Sequence, residues 1–126
     1  MKRTPADAAF SEIVREIHDY TCERCGKQGR MECSHVHSRR HRTIRWCLLN
    51  ANCLCNGCHR WWHENPTESG KWFERKFGED RVDILLEKKE NKIKVPKSED
   101  KLIAKHYKKE LNELIADRNY KPVSYQ

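Results

Sequence analysis

The sequence predicts a small α+β fold: a short sheet anchored by a pair of zinc knuckles, flanked by N-terminal and C-terminal helices. Three observations point there. Two CxxC pairs, Cys22/Cys25 and Cys55/Cys58, are separated by 29 residues. Apolar residues recur at helical spacing near both ends of the chain. Hydrophobic residues make up 37% of the chain and charged residues 36%. That balance is lean for 126 residues folding on apolar burial alone, so a structural metal would compensate.

Residues 5 to 20 are expected to be helical. Thr4 is the N-cap, Pro5 suits the first turn, and Asp7 completes a Thr-x-x-Asp capping pattern. Phe10, Ile13, Val14 and Ile17 form one apolar stripe for the core. TCERCGKQG then places Cys22 and Cys25 on a tight turn with Gly26 behind them. RMECSHVHS, residues 30 to 38, is a candidate strand. SRRHRTIRW is a basic loop, with Ile44 and Trp46 opening a second strand. LLNANCLC leads into the second knuckle, where Asn56-Gly57 supplies the turn.

From Cys58 a helix is expected up to Asn65, where Pro66 discourages continuation. Thr67 caps the next helix, which carries Trp72, Phe73 and Phe77 and stops at Gly78. Residues 79 to 91 form another, with Val82, Leu85 and Leu86 inward. KIKVPKS, residues 92 to 98, is a linker. Ser98 caps a final helix with Leu102, Ile103, Tyr107, Leu111, Leu114 and Ile115 at helical spacing, and the tail from Asn119 is expected to fray.

The net charge of +7 and the pI of about 9.1 suit a polyanionic partner, of which nucleic acid is the commonest. A solvated basic surface is the plainer alternative. No apolar run approaches the roughly 20 residues that cross a bilayer, and MKRTPADAAF lacks the apolar stretch of a secretory signal. A cytoplasmic location is the expectation.

Seven cysteines, four of them in CxxC pairs, mean thiolate ligation more often than disulfides in a reducing compartment. Cys22, Cys25, Cys55 and Cys58 make a closed structural zinc site. Cys33, Cys47 and Cys53 are left as small buried hydrophobes, although Cys53 could replace Cys55. His59 and His63 are then free. At i and i+4 on a helix they share a face and can grip one divalent ion, leaving coordination positions open to water and phosphate. A chance surface pair is the alternative. Arg39, Arg40, Arg42 and Arg45 lie within seven residues and suit bidentate phosphate contacts, against the alternative of a solvated loop. Of Trp61 and Trp62, one is expected in the core and the other exposed.

The order of these features resembles the HNH (ββα-metal) endonucleases: a knuckle, His35 at a strand end, Asn50, then CxxCH with His63 beyond. ECSHVHSRRHRTIRWCLLNANCLCNGCHRWWH and GKWFERKFGEDRVDILLEKKE are similar to bacteriophage recombination nucleases of the NinG/Rap type, over residues 20 to 90. The resemblance implies a ββα-metal core within a nuclease domain of residues 1–91. Residues 92–126, a linker and an apolar-striped helix expected to pack on the core or make a homodimer, lie outside the resemblance. It implies DNA, duplex or branched, as substrate, cut to 5′-phosphate and 3′-hydroxyl ends during recombination or processing in a bacterial host. A zinc-stabilised DNA-binding protein without catalysis is the alternative.

By the same resemblance, His35 is the general base. Asn50 fixes its tautomer by accepting a bond from the imidazole. His59 and His63 hold a catalytic Mg²⁺, Mn²⁺, Ni²⁺ or Zn²⁺. Where many HNH enzymes carry an acidic or histidine ligand before the base, this chain has Ser34. The third ligand is therefore open among His37, Cys33, Glu32, His41 and water. Strand alternation puts His37 on the same face as His35, so it could also be the base.

Overall fold

A computed structural model describes residues 1–126. The elements run α1 (Pro5–Ile17), β1 (Glu32–His35), β2 (Ala51–Leu54), α2 (Asn56–Glu64), α3 (Pro66–Phe77), α4 (Glu79–Glu90) and α5 (Asp100–Ala116). Single 3₁₀ turns at Leu48–Asn50 and Lys97–Glu99 precede β2 and α5. The strands pair antiparallel, with Glu32 opposite Leu54, Cys33 opposite Cys53, Ser34 opposite Asn52 and His35 opposite Ala51. No helix is long and apolar enough to cross a membrane.

The start of α1 follows from its sequence. The Asp7 carboxylate accepts from the Thr4 backbone N–H at 2.8 Å, and Thr4 Oγ1 accepts from the Asp7 N–H at 3.2 Å. The two bonds satisfy donors that a helix start otherwise leaves open. Phe10, Ile13 and Val14 are buried, and Ile17 is half-buried at the end of the stripe. α1 packs on α5, where the Phe10 and Tyr107 rings meet edge-to-face at 5.1 Å. Burying each large apolar side chain contributes roughly 1.5–3 kcal/mol.

The segment from His41 to Asn50 is not the strand opening expected around Ile44 and Trp46. The N–H groups of Ile44, Cys47 and Asn50 each bond the carbonyl three residues back, giving consecutive tight turns. These turns let Ile44, Trp46 and Cys47 all reach the core, which alternation along a strand would prevent. The second strand begins only at Ala51.

Three helix boundaries also differ. α2 starts at Asn56, inside the second knuckle, with Cys55 as N-cap. α3 starts at Pro66 with Asn65 as its cap residue, not Thr67, because proline's fixed φ suits a first helical position. α5 begins at Asp100 after the 3₁₀ turn, without a Ser98 side-chain cap. Gly78, at φ 92°, ends α3 as expected, a conformation that costs glycine little.

The apolar faces are narrower than the sequence implies. In α4, Leu85 is buried while Leu86 is exposed. In α5, Ile103, Tyr107 and Leu114 face the core while Leu102 and Ile115 are exposed. Each outlier adjoins a buried residue in sequence, and one residue turns the chain by about 100° around the helix axis.

The tail from Asn119 does not fray. The Tyr120 hydroxyl donates to the Glu110 carboxylate at 2.6 Å, and the Val123 N–H donates to the same group at 2.8 Å. The Trp46 N–H donates to Gln126 Oε1 at 2.9 Å, and the Leu48 N–H to Ser124 Oγ at 3.0 Å. The tail thus satisfies backbone donors of the 41–50 loop that no strand partner reaches.

Candidate metal centre and imidazole groove

Two knuckles brought together by backbone pairing build the sulfur cluster. The Glu23 N–H donates to the Cys53 carbonyl at 2.8 Å, and the Cys53 N–H donates to the Glu23 carboxylate at 2.8 Å. This ties the first knuckle to β2, whose next turn carries the second. The sulfur atoms of Cys22, Cys25, Cys55 and Cys58 lie within 4.8 Å of one another, with Cys25 and Cys55 at 3.7 Å. Zinc–sulfur bonds of about 2.3 Å in a tetrahedron require sulfur separations of about 3.8 Å. The cluster could therefore hold a zinc ion.

Backbone amides support the thiolate state at Cys22, whereas burial pushes the Cys58 thiol up to about 12 against the opposing Arg24 guanidinium. Burial would raise the Cys22 thiol, but N–H groups at Cys25, Cys55 and Arg24 outweigh it and bring it down to about 6. The Arg24 guanidinium donates to Cys58 Sγ at 3.5 Å and lies 3.6 Å above the Trp61 ring. It sets a positive charge beside a site whose four thiolates exceed the charge of one zinc ion.

Cys53 stays outside the cluster. It lies in β2 opposite Cys33, fully buried, and burial pushes both thiols up to about 12. Cys47 is likewise buried. Trp62 is buried and Trp61 half-buried beneath Arg24, so neither ring stands free.

One turn into α2, His59 and His63 turn their Nε2 atoms toward each other at 3.1 Å. Behind His59, its Nδ1 meets Glu32 Oε1 at 2.7 Å, and Asn56 Nδ2 donates to the other Glu32 oxygen at 3.3 Å. A carboxylate accepts, so Nδ1 carries the proton and His59 presents the Nε2 lone pair to His63. The His59 contact in turn holds the Glu32 carboxyl below its usual range. Glu32 therefore orients the His59 ring from behind, as a carboxylate does where it backs a metal-bound imidazole.

No third Cys, His, Asp or Glu ligand atom gathers with the pair. Ser34 is fully buried and its hydroxyl has no hydrogen-bond partner, as is the Oδ1 of Asn52 opposite it. His37 lines a neighbouring apolar cavity with His63, Trp62 and Phe73. His41 sits half-exposed in the loop.

His35 ends β1. Its Nε2 lies 3.1 Å from the Arg45 carbonyl, which only accepts, so Nε2 carries the proton and Nδ1 the lone pair. Burial disfavours the imidazolium and pulls the pKa down to about 4, with the Arg45 carbonyl opposing in part. The ring tilts against Phe10 at 5.7 Å. Asn50 does not touch this imidazole. Its Oδ1 accepts from the His37 backbone N–H at 2.8 Å, and its Nδ2 donates to the His37 and Ile44 carbonyls at 3.1 and 3.2 Å. Asn50 clamps the loop backbone, and the Arg45 carbonyl takes the tautomer-fixing part expected of it.

The loop arginines divide. Arg45 is buried and paired at two points with Asp7, Nε–Oδ1 2.9 Å and Nη2–Oδ2 2.5 Å. Arg42 donates to the Val95 carbonyl at 2.8 Å and to Asp100 at 2.5 Å. Both guanidinium groups are thus engaged within the chain, tying the loop to α1 and to the start of α5. Arg39 lies 3.6 Å from Asp7 and donates to the Met1 carbonyl at 3.1 Å, while Arg40 is exposed.

His35, His59 and His63 line one groove of about 960 Å³ beside α1 and β1. Arg3, Arg15, Arg30 and Arg39 line it too. Sequence reading missed the first three, because Arg15 reads as the polar side of a core helix and the other two as isolated surface charges. Comparison with protein-family models, curated proteins and solved structures finds no match.

Proposed function

We propose that this chain is a metal-dependent DNA endonuclease of the HNH (ββα-metal) type, hydrolysing phosphodiesters to 5′-phosphate and 3′-hydroxyl ends. One observation carries the proposal: His35 from β1 and the His59–His63 pair from α2 line a single groove whose walls bear four arginines. The order strand, strand, helix, with a four-cysteine cluster at the helix start, supports the same class.

His35 is the base. Neutral at physiological pH, it offers its Nδ1 lone pair to the proton of an attacking water, while the Arg45 carbonyl keeps the other nitrogen protonated. Asn50 fixes the loop that follows His35. His59 and His63 would hold the divalent ion, with Glu32 orienting His59. Such an ion, when bound, supplies Lewis-acid stabilisation of charge on the phosphate. Arginines along the groove offset the charge of the substrate backbone. The resemblance to bacteriophage recombination nucleases makes branched DNA the substrate to try first. A symmetric cut of a junction calls for a homodimer. Because Ile103, Tyr107 and Leu114 of α5 face α1, a dimer would use another surface.

The test is cleavage of plasmid and junction DNA with added Mg²⁺, Mn²⁺ or Ni²⁺. Cleavage should stop with EDTA while the thiolate-bound zinc is retained, and stop in a folded His35→Ala variant. Normal cutting by that variant would remove His35 from the base role.

A second reading, a zinc-stabilised DNA-binding protein without catalysis, is favoured by the pair of imidazoles lacking a third gathered ligand. Metal stoichiometry separates the two. One tightly held zinc, with no added ion changing the DNA, would identify the binder.

A further inference from the structure

We infer that α1 and the residues before it form the second wall of a nucleic-acid groove, with Arg3, Arg15 and Arg30 contacting the phosphodiester backbone beside the imidazoles. The inference deepens the nuclease proposal and rests on its placement of the substrate.

The groove's charges are unequally committed. Its two carboxylates are occupied, Asp7 by Arg45 and Glu32 by His59. Arg3 and Arg30 line it without any ion pair or side-chain hydrogen bond. Arg15 makes only a 3.2 Å bond from Nε to the Ser11 carbonyl one turn back, which steadies the side chain and leaves its terminal nitrogens available. Several arginines elsewhere are engaged within the chain: Arg42 with Asp100, Arg118 with Glu16, Arg81 with the Leu49 carbonyl. Unpaired guanidinium groups converging on a concave surface repel one another unless a polyanion lies between them. Their fork of donors matches phosphate oxygens.

Placement supports the same partner. Arg15 belongs to a helix whose other face packs on α5, and Arg30 sits just before β1, so both are carried by the scaffold that carries His35 and Glu32. A backbone lying along these arginines therefore passes the imidazole pair. Arg39, on the loop after β1, extends the track.

The test uses the full zinc-loaded chain with no added divalent ion, titrated into fluorescein-labelled DNA at several salt concentrations and read by anisotropy. A variant carrying Arg3→Ala, Arg15→Ala and Arg30→Ala is compared with one carrying Lys101→Ala, Lys105→Ala and Lys108→Ala. Both lose three positive charges, the second from exposed positions on α5. The arginine variant should bind on the order of a hundredfold more weakly, as charge-assisted bonds are lost. Its salt slope should fall by about 2.7, at about 0.9 per phosphate contact on duplex DNA. The lysine variant should change little. Equal losses in the two variants would mean diffuse charge attraction and overturn the inference. So would poly-glutamate displacing DNA at equal charge concentration, which marks an acidic polypeptide as partner. Arginine-dependent binding without cleavage by the wild type under Mg²⁺, Mn²⁺ or Ni²⁺ would uphold the groove and sink the nuclease proposal. Cleavage by a wild type whose binding ignores the three arginines would do the reverse.

Discussion

Asp7 and Arg45, 38 residues apart, form a buried two-point ion pair that links the start of α1 to the loop holding His35. Trp46 Nε1 donates to the same carboxylate at 3.1 Å, and so does the backbone N–H of the N-cap residue Thr4, at 2.8 Å. The carbonyl that orients His35 belongs to Arg45 itself, so a helix cap and an imidazole tautomer share one carboxylate.

Removing one partner leaves the other charge buried. Asp7→Ala should destabilise the fold by about 3–5 kcal/mol, the range for breaking a buried pair. Urea unfolding at neutral pH measures this. A loss below about 1 kcal/mol would mean that the pair behaves like an exposed salt bridge.

The pair also sets a pH dependence. Burial would raise the Asp7 carboxyl, but the bonds and charge of Arg45 and the Thr4 N–H outweigh it and bring it from 3.8 to about 2. A depressed folded-state pKa stabilises the fold above the unfolded value, and that stabilisation is lost as pH falls through the folded value. The stability difference between wild type and Asp7→Asn should therefore be constant above about pH 5 and shrink between pH 4 and 2. Zinc loss in acid affects both proteins alike, so the difference isolates Asp7. A gap unchanged at pH 2 would contradict the depressed pKa.

Zinc content separates the cysteines. Wild type and Cys53→Ala should each retain one zinc per chain, since Cys53 is a core side chain in β2 outside the cluster. Cys22→Ala should lose the ion and much of its helical circular dichroism, because a closed site loses affinity when one ligand is removed. Atomic emission on gel-filtered protein measures the ratio. Zinc loss in Cys53→Ala with the fold intact would make Cys53 a ligand.

Glu32 should matter to the imidazole pair without touching the ion. Glu32→Gln should weaken Co²⁺ or Ni²⁺ binding at His59 and His63 by roughly 10–100-fold, the usual effect of removing a partner behind a ligand. The thiolate site should keep its zinc. Calorimetry on zinc-loaded protein reads the second site alone, and affinity equal to wild type would remove the orienting role.

What the sequence determined by itself is local. The capping box at Thr4 and Asp7, the CxxC turns and the four-residue step from His59 to His63 follow from spacing, because a helix turn or a tight loop fixes such neighbours wherever the segment lies. Tertiary structure decided the partners. Arg42 and Arg45 look like phosphate contacts in the chain, yet each meets a carboxylate more than 30 residues away. Asn50 holds a backbone instead of an imidazole, Glu32 backs His59, and the tail covers the 41–50 loop. A long polar side chain can satisfy its hydrogen bonds in many ways, and only the packing of distant elements chooses among them.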